Sequence, residues 1–119
     1  MQNKNKLYIL VDSNLEPIYG AVQGGHAVAQ WLLENYEIMK NGDPNWSWKN
    51  DYLIYVSSNI KKWSNRLMRY DPSIYRWSSF EEPDLGNKTT AIAIYERDFP
   101  PIIQRKLKRE KLLKRELPV

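Results

Sequence analysis

The sequence predicts an α/β protein: a mixed four-stranded sheet with helices on both faces, ordered strand–helix–strand–helix–strand–strand–helix. Three observations predict it. Residues 7–11 (Leu-Tyr-Ile-Leu-Val) and 52–56 (Tyr-Leu-Ile-Tyr-Val) are continuous apolar runs of strand formers, the pattern of strands buried on both faces. A long helical segment separates them, which implies a right-handed crossover and parallel pairing. The last two strand segments are joined by a loop too short for a helix, so at least one antiparallel pair is expected.

The elements follow in order. Residues 7–11 form the central strand, closed by Asp12-Ser13-Asn14. A loop with Pro17 and Gly20 leads to a helix over about residues 22–40. There Val22, Ala29, Leu33 and Tyr36 share one face, with Leu32 and Met39 beside them, and that face is expected in the core. Asn41-Gly42 should stop the helix. Residues 43–48 form a loop carrying Trp46 and Trp48. After the strand at 52–56, Ser58 or Asn59 caps a helix whose Ile60, Trp63 and Leu67 share a face. Asp71-Pro72 ends it. Residues 74–80 read as a weaker third strand, 81–88 as a loop with Pro83 and Gly86, and 89–95 as the fourth strand. Pro100-Pro101 separates a single domain, 1–100, from a basic amphipathic helix, 101–119, with Ile103, Leu107, Leu113 and Leu117 as its apolar stripe.

Composition narrows the function classes. The chain has 119 residues, 42% of them apolar, with five Trp and eight Tyr, enough for one real core. No run approaches 18 apolar residues, so no membrane helix is expected. Residues 1–6 lead into too short an apolar run for a secretory signal, which makes a cytoplasmic location the expectation. With no Cys and a single His, neither a disulfide scaffold nor a thiolate or histidine metal site is expected. Net charge is +4, but residues 105–117 hold seven bases against two acids, which leaves the rest at −1. Such a basic tail attracts polyanions such as RNA through counterion release. It serves equally as a solvated face. Lys62, Arg66 and Arg69 add a second basic cluster, within roughly 60° of one another on the helix face opposite Trp63.

Two stretches concentrate chemistry. Gln23-Gly24-Gly25-His26-Ala27 is expected at a helix start, where glycines allow close approach and free N–H groups attract anions. Glu81-Glu82-Pro83-Asp84-Leu85-Gly86-Asn87-Lys88-Thr89-Thr90 places carboxylates, an amide, an amine and two hydroxyls between two strands. Dinucleotide, phosphate-loop and nucleophile-elbow motifs are missing from the sequence.

These two stretches, in this element order, resemble the class II (archaeal and eukaryotic type) peptidyl-tRNA hydrolases over about residues 7–96. Gln23, His26 and Ala27 match the family's Ala-Gln-Cys-Ser-His-Ala helix opening, with Gly24 and Gly25 in place of Cys and Ser. Residues 83–93 are similar to a shortened form of its Asp-Ala-Gly…Thr segment before the last strand. Tyr19 falls where the family has a loop lysine, and Tyr95-Glu96-Arg97-Asp98 replaces a glycine-rich ending.

The resemblance implies a metal-independent, cofactor-free hydrolase that cleaves the ester joining a peptide to tRNA. It implies that His26 and Asp84 are active-site residues and that Thr89 or Thr90 lies at the reacting centre. Gln23, Gly24, Gly25 and Lys88 would support or bind the substrate, and Lys62, Arg66 and Arg69 are candidate RNA contacts. The expectation is that His26, Asp84 and one threonine converge on one cleft. Two other readings stay open. One is a non-catalytic RNA- or nucleotide-binding module on the same fold. The other is an adaptor that meets a protein partner, or a second copy, through the C-terminal helix and the Trp46/Trp48 loop.

Overall fold

Strand β1 (Lys6–Asp12) occupies the middle of the sheet, as its unbroken apolar run demands. The computed structural model describes residues 5–41, 48 and 52–113. The sheet is mixed, in the order β3-β4-β1-β2-β5, with β2 (Tyr52–Ser58), β3 (Trp77–Glu82), β4 (Lys88–Tyr95) and β5 (Lys111–Leu112). β1 and β2 run parallel in the register Ile9↔Tyr55 and Asp12↔Ser58, while β4 is antiparallel to both β1 and β3.

Side-chain alternation splits the core in two. Tyr8, Leu10, Val56, Ile92 and Ile94 face one side, where α3 (Ile60–Leu67) brings Trp63 and Leu67 and α5 (Pro101–Arg109) brings Ile103 and Leu107. Leu7, Ile9, Val11, Ala91, Ala93 and Tyr95 face the other, beneath α1 (Pro17–Glu34). Short α2 (Tyr36–Lys40) and α4 (Pro72–Tyr75) complete the described helices, none of which is long and apolar enough to cross a membrane.

Five expectations change. The sheet has five strands, not four, because the C-terminal helix stops at Arg109 and the chain then pairs with β2. Val56 faces Leu112, and Leu113 N–H donates to the Tyr55 carbonyl at 3.0 Å. Helical spacing from Ile103 and Leu107 next reaches Glu110 and Lys111, which are polar, so the apolar stripe breaks there, and β5 covers an otherwise open edge of β2. The basic segment is therefore part of the domain through Ile103 and Leu107, both buried, rather than an appendage. Residues 114–119, with Leu117, lie outside the described residues.

The third strand begins at Trp77. Residues 72–75 are helical because Asp71 caps them through the Ser73 N–H at 2.9 Å, and Arg76 turns the chain at φ 39°. Helix α1 starts at Pro17, five residues earlier than expected, because proline suits the first helical turn. Its core face is also the opposite one: Gly20, Gln23, Gly24, Ala27 and Trp31 are buried, whereas Val22, Leu33 and Tyr36 are exposed. Two glycines let the helix axis approach the sheet. A Cβ on Gly24 would come within 2.6 Å of the Tyr55 ring and 3.0 Å of Ile9. Trp31 fills the space so created and donates its indole N–H to the Arg76 carbonyl at 2.9 Å.

Candidate functional site

The two chemistry-bearing stretches meet on the α1 side of the sheet. Gln23 lies in the second turn of α1 and points inward at 1% exposure. Its Oε1 accepts from Thr90 Oγ at 2.6 Å, and its Nε2 donates to Glu82 Oε2 at 2.9 Å. The second Glu82 oxygen accepts the Asp84 main-chain N–H at 3.2 Å. A β-bulge makes this arrangement: the register passes from Phe80↔Ala91 to Glu81↔Thr89, leaving Thr90 as the extra residue. Thr90 thereby turns toward α1, where strict alternation would have sent it to the α3 side. Thr90, Gln23 and Glu82 are all buried and each has a partner.

His26 follows Gln23 by three residues and is exposed, with its ring stacked on Phe80 (centroids 4.7 Å apart, planes 20°). The Gln23 amide, the Asp84 N–H and the nearby imidazole together hold the Glu82 carboxyl below the usual carboxylate range. Glu82 therefore stays ionised at neutral pH. Here is a solvent-facing imidazole beside a carboxylate fixed from two directions. An imidazole so placed can accept a proton from water.

A second arrangement lies at the same end of the sheet but on the α3 side. A cleft of about 410 Å³ is lined by Asp12, Asn14, Asn59, Ile60, Lys61, Ser64, Asn65, Lys88 and Thr89. It sits beyond the carboxyl ends of parallel β1 and β2, where open α/β sheets hold ligands. Asp12 is buried: one carboxylate oxygen accepts the Asn14 N–H at 2.9 Å, the other lies 3.5 Å from Lys88 Nζ. Asn59 caps α3 by accepting the Lys62 N–H at 3.0 Å. Lys61 and Lys88 make the cleft rim cationic.

Each sequence-derived residue thus has a place. Gln23, Thr90 and His26 gather around Glu82, whereas Thr89 and Lys88 open onto the cleft across the sheet. Asp84 is exposed in a 3-10 turn and enters through its main chain; the carboxylate whose charge acts with His26 is Glu82. Gly24 and Gly25 are interior to α1, so their N–H groups lie within the helix and not at a free end. Gly24 serves the close approach to β1 and β2, while Gly25 faces open space. Arg66 lies over the Trp63 ring at 4.5 Å, and Lys62 and Arg69 are exposed. Trp48 is no surface aromatic: it is 5% exposed, meets Trp31 edge-on at 5.7 Å, and donates to the Tyr52 carbonyl. Trp46 lies outside the described residues.

Glu82 escaped sequence reasoning because residues 81–88 read as a loop, so the alternation that puts Phe80 on the α1 side is not carried two residues on to Glu82. The signal that could have found it is the Glu-Pro-Asp order, in which the residue before proline is extended and can accept the N–H two residues on. No protein-family model matches the chain, and no curated protein matches it in sequence.

Proposed function

We propose that the chain is a peptidyl-tRNA hydrolase-like esterase that cleaves the ester between a peptide and the ribose of tRNA, with His26 as its general base. One observation carries this reading: the two stretches that bear the resemblance are joined through the buried chain Thr90–Gln23–Glu82, which ends beside His26. In the proposed step, His26 takes a proton from water as the oxygen attacks the ester carbonyl. The tetrahedral intermediate collapses with release of the ribose oxygen, which receives that proton from the imidazolium. Glu82 is a positioning residue whose charge acts with His26; Gln23 holds Glu82, and Thr90 holds Gln23. General base catalysis of this kind contributes about 10²–10⁴-fold.

The cationic cleft supports the RNA part of the reading. Lys88 and Lys61 can take a phosphate, and Asn14, Asn59 and Thr89 can bond ribose hydroxyls. The exposed bases Lys62, Arg69, Arg105, Lys108 and Arg109 lie on helices of that same face of the sheet. Incubation with purified peptidyl-tRNA, following release of free tRNA, tests the proposal. Cleavage by the wild-type chain and a loss of at least about 100-fold in His26→Ala is the expected result.

A second reading, RNA binding without hydrolysis, is favoured by the cleft and by the Tyr19 at the place of the family's lysine. It predicts tRNA binding that falls with salt while the ester survives. Neutralising Lys106, Arg109 and Lys111 would flatten that salt dependence by up to about 0.9 log units per lost phosphate contact.

A further inference from the structure

The outward face of α1 carries a second apolar stripe. Ile18 (77% exposed), Val22 (52%), Gly25, Ala29 and Leu33 (76%) fall within about 80° of one another, opposite the buried face, and exposed Tyr36 (55%) follows past the end of the helix, at the start of α2. Between Pro17 and Leu33 there is no Asp, Glu, Lys or Arg. A helix face that only met water would carry charges, and loss of charge with retained apolar bulk marks the centre of an interface.

The order of sizes along the stripe reads nearly the same in both directions: large, large, small, small, large, large. We infer that this face pairs with the same face of a second copy, the two α1 helices packing antiparallel about a two-fold axis near residues 27 and 28. In that register Val22 meets Leu33 of the other copy, Gly25 meets Ala29, and Ile18 meets Tyr36. The small residues at the centre allow close axial approach, and the large ones at each end fill the gaps beside it. An isologous contact needs such self-complementarity, whereas an unrelated partner does not. Ile18, Val22, Leu33 and Tyr36 together expose on the order of 500 Å² per copy, so pairing buries at most about 1,000 Å², the low end for a specific interface. A contact of this size is expected to be weak, so that the dimer forms and dissociates with protein concentration.

Sedimentation velocity on the full chain over a concentration series tests the pairing. A species of twice the 14.2 kDa chain mass is expected to grow with concentration, and Ile18→Asp/Leu33→Asp should weaken it at least about tenfold with unchanged circular dichroism. Geometry is read independently with cysteines, which the chain lacks. In the proposed register Val22→Cys/Leu33→Cys should cross-link two copies under mild oxidation. Each single variant should not, because like positions then stand about 16 Å apart, far beyond disulfide reach. A chain that stays monomeric, a dimer indifferent to the aspartates, or single cysteines that cross-link as well as the pair would overturn the inference.

Discussion

Adding one methyl group at Gly24 or at Gly25 should shift stability in opposite directions. Both residues are interior to α1, where alanine exceeds glycine by about 1 kcal/mol in helix propensity. At Gly25 no atom lies within 4 Å of the added carbon, so Gly25→Ala should gain about 0.5–1 kcal/mol. At Gly24 the carbon meets Tyr55 Cε2 at 2.6 Å, Ile9 Cγ2 at 3.0 Å and Tyr55 Cδ2 at 3.2 Å. Overpacking by one carbon costs about 1–3 kcal/mol, which exceeds the propensity gain, so Gly24→Ala should lose about 1 kcal/mol net. For a domain of this size that separates the two melting temperatures by roughly 6–15 °C. Thermal unfolding at low protein concentration, where association adds nothing, reads the difference. Equal stabilisation by both changes would refute the close packing of α1 on β1 and β2, and with it the placement of Gln23.

Three further outcomes follow from the same packing. Leu107→Ala should lose about 2–5 kcal/mol in urea unfolding, and ending the chain at Ile102 should lose more, because α5 closes the core and is not a detachable tail. Glu82 titrates below its unfolded value, so its contribution is complete above about pH 4.5 and is lost as pH falls through the folded value; Glu82→Gln should remove that part of the acid dependence of unfolding. The Tyr8 phenol is pushed up to about 12 by burial and then by the Glu96 charge and hydrogen bond, so Glu96→Gln should lower the Tyr8 transition in an ultraviolet titration. An unchanged transition would mean that the Glu96 carboxylate does not face Tyr8.

The sheet was legible in the sequence because residues 7–11, 52–56 and 91–95 are continuous apolar runs of strand-forming length. Parallel pairing of β1 with β2 followed from the helix between them. The inward face of α1 was not legible, since its buried stripe is Gly, Gln, Gly, Ala and Trp, while the more aliphatic stripe lies outside. Periodicity weighs apolar bulk, and here close approach and a buried hydrogen-bond chain decided the orientation. Strand β5 escaped for the related reason that Lys111 and Leu112 gain their conformation from the open edge of β2. At the site, Gln23, His26 and Thr90 could be named from the sequence. Their acidic partner could not, because residues 81–88 read as a loop, whereas β3 continues to Glu82 and its alternation turns Glu82 toward α1 with Phe80.

The central claim is that Glu82, and not Asp84, positions His26 for ester hydrolysis. Initial rates of peptidyl-tRNA cleavage for the wild-type chain, Glu82→Gln and Asp84→Asn measured side by side test it most directly. Cleavage by the wild-type chain, a large loss in Glu82→Gln, and near-normal rates in Asp84→Asn, whose main-chain N–H still reaches Glu82, are the expected results. No cleavage by the wild-type chain, or loss in Asp84→Asn with Glu82→Gln still active, would contradict it.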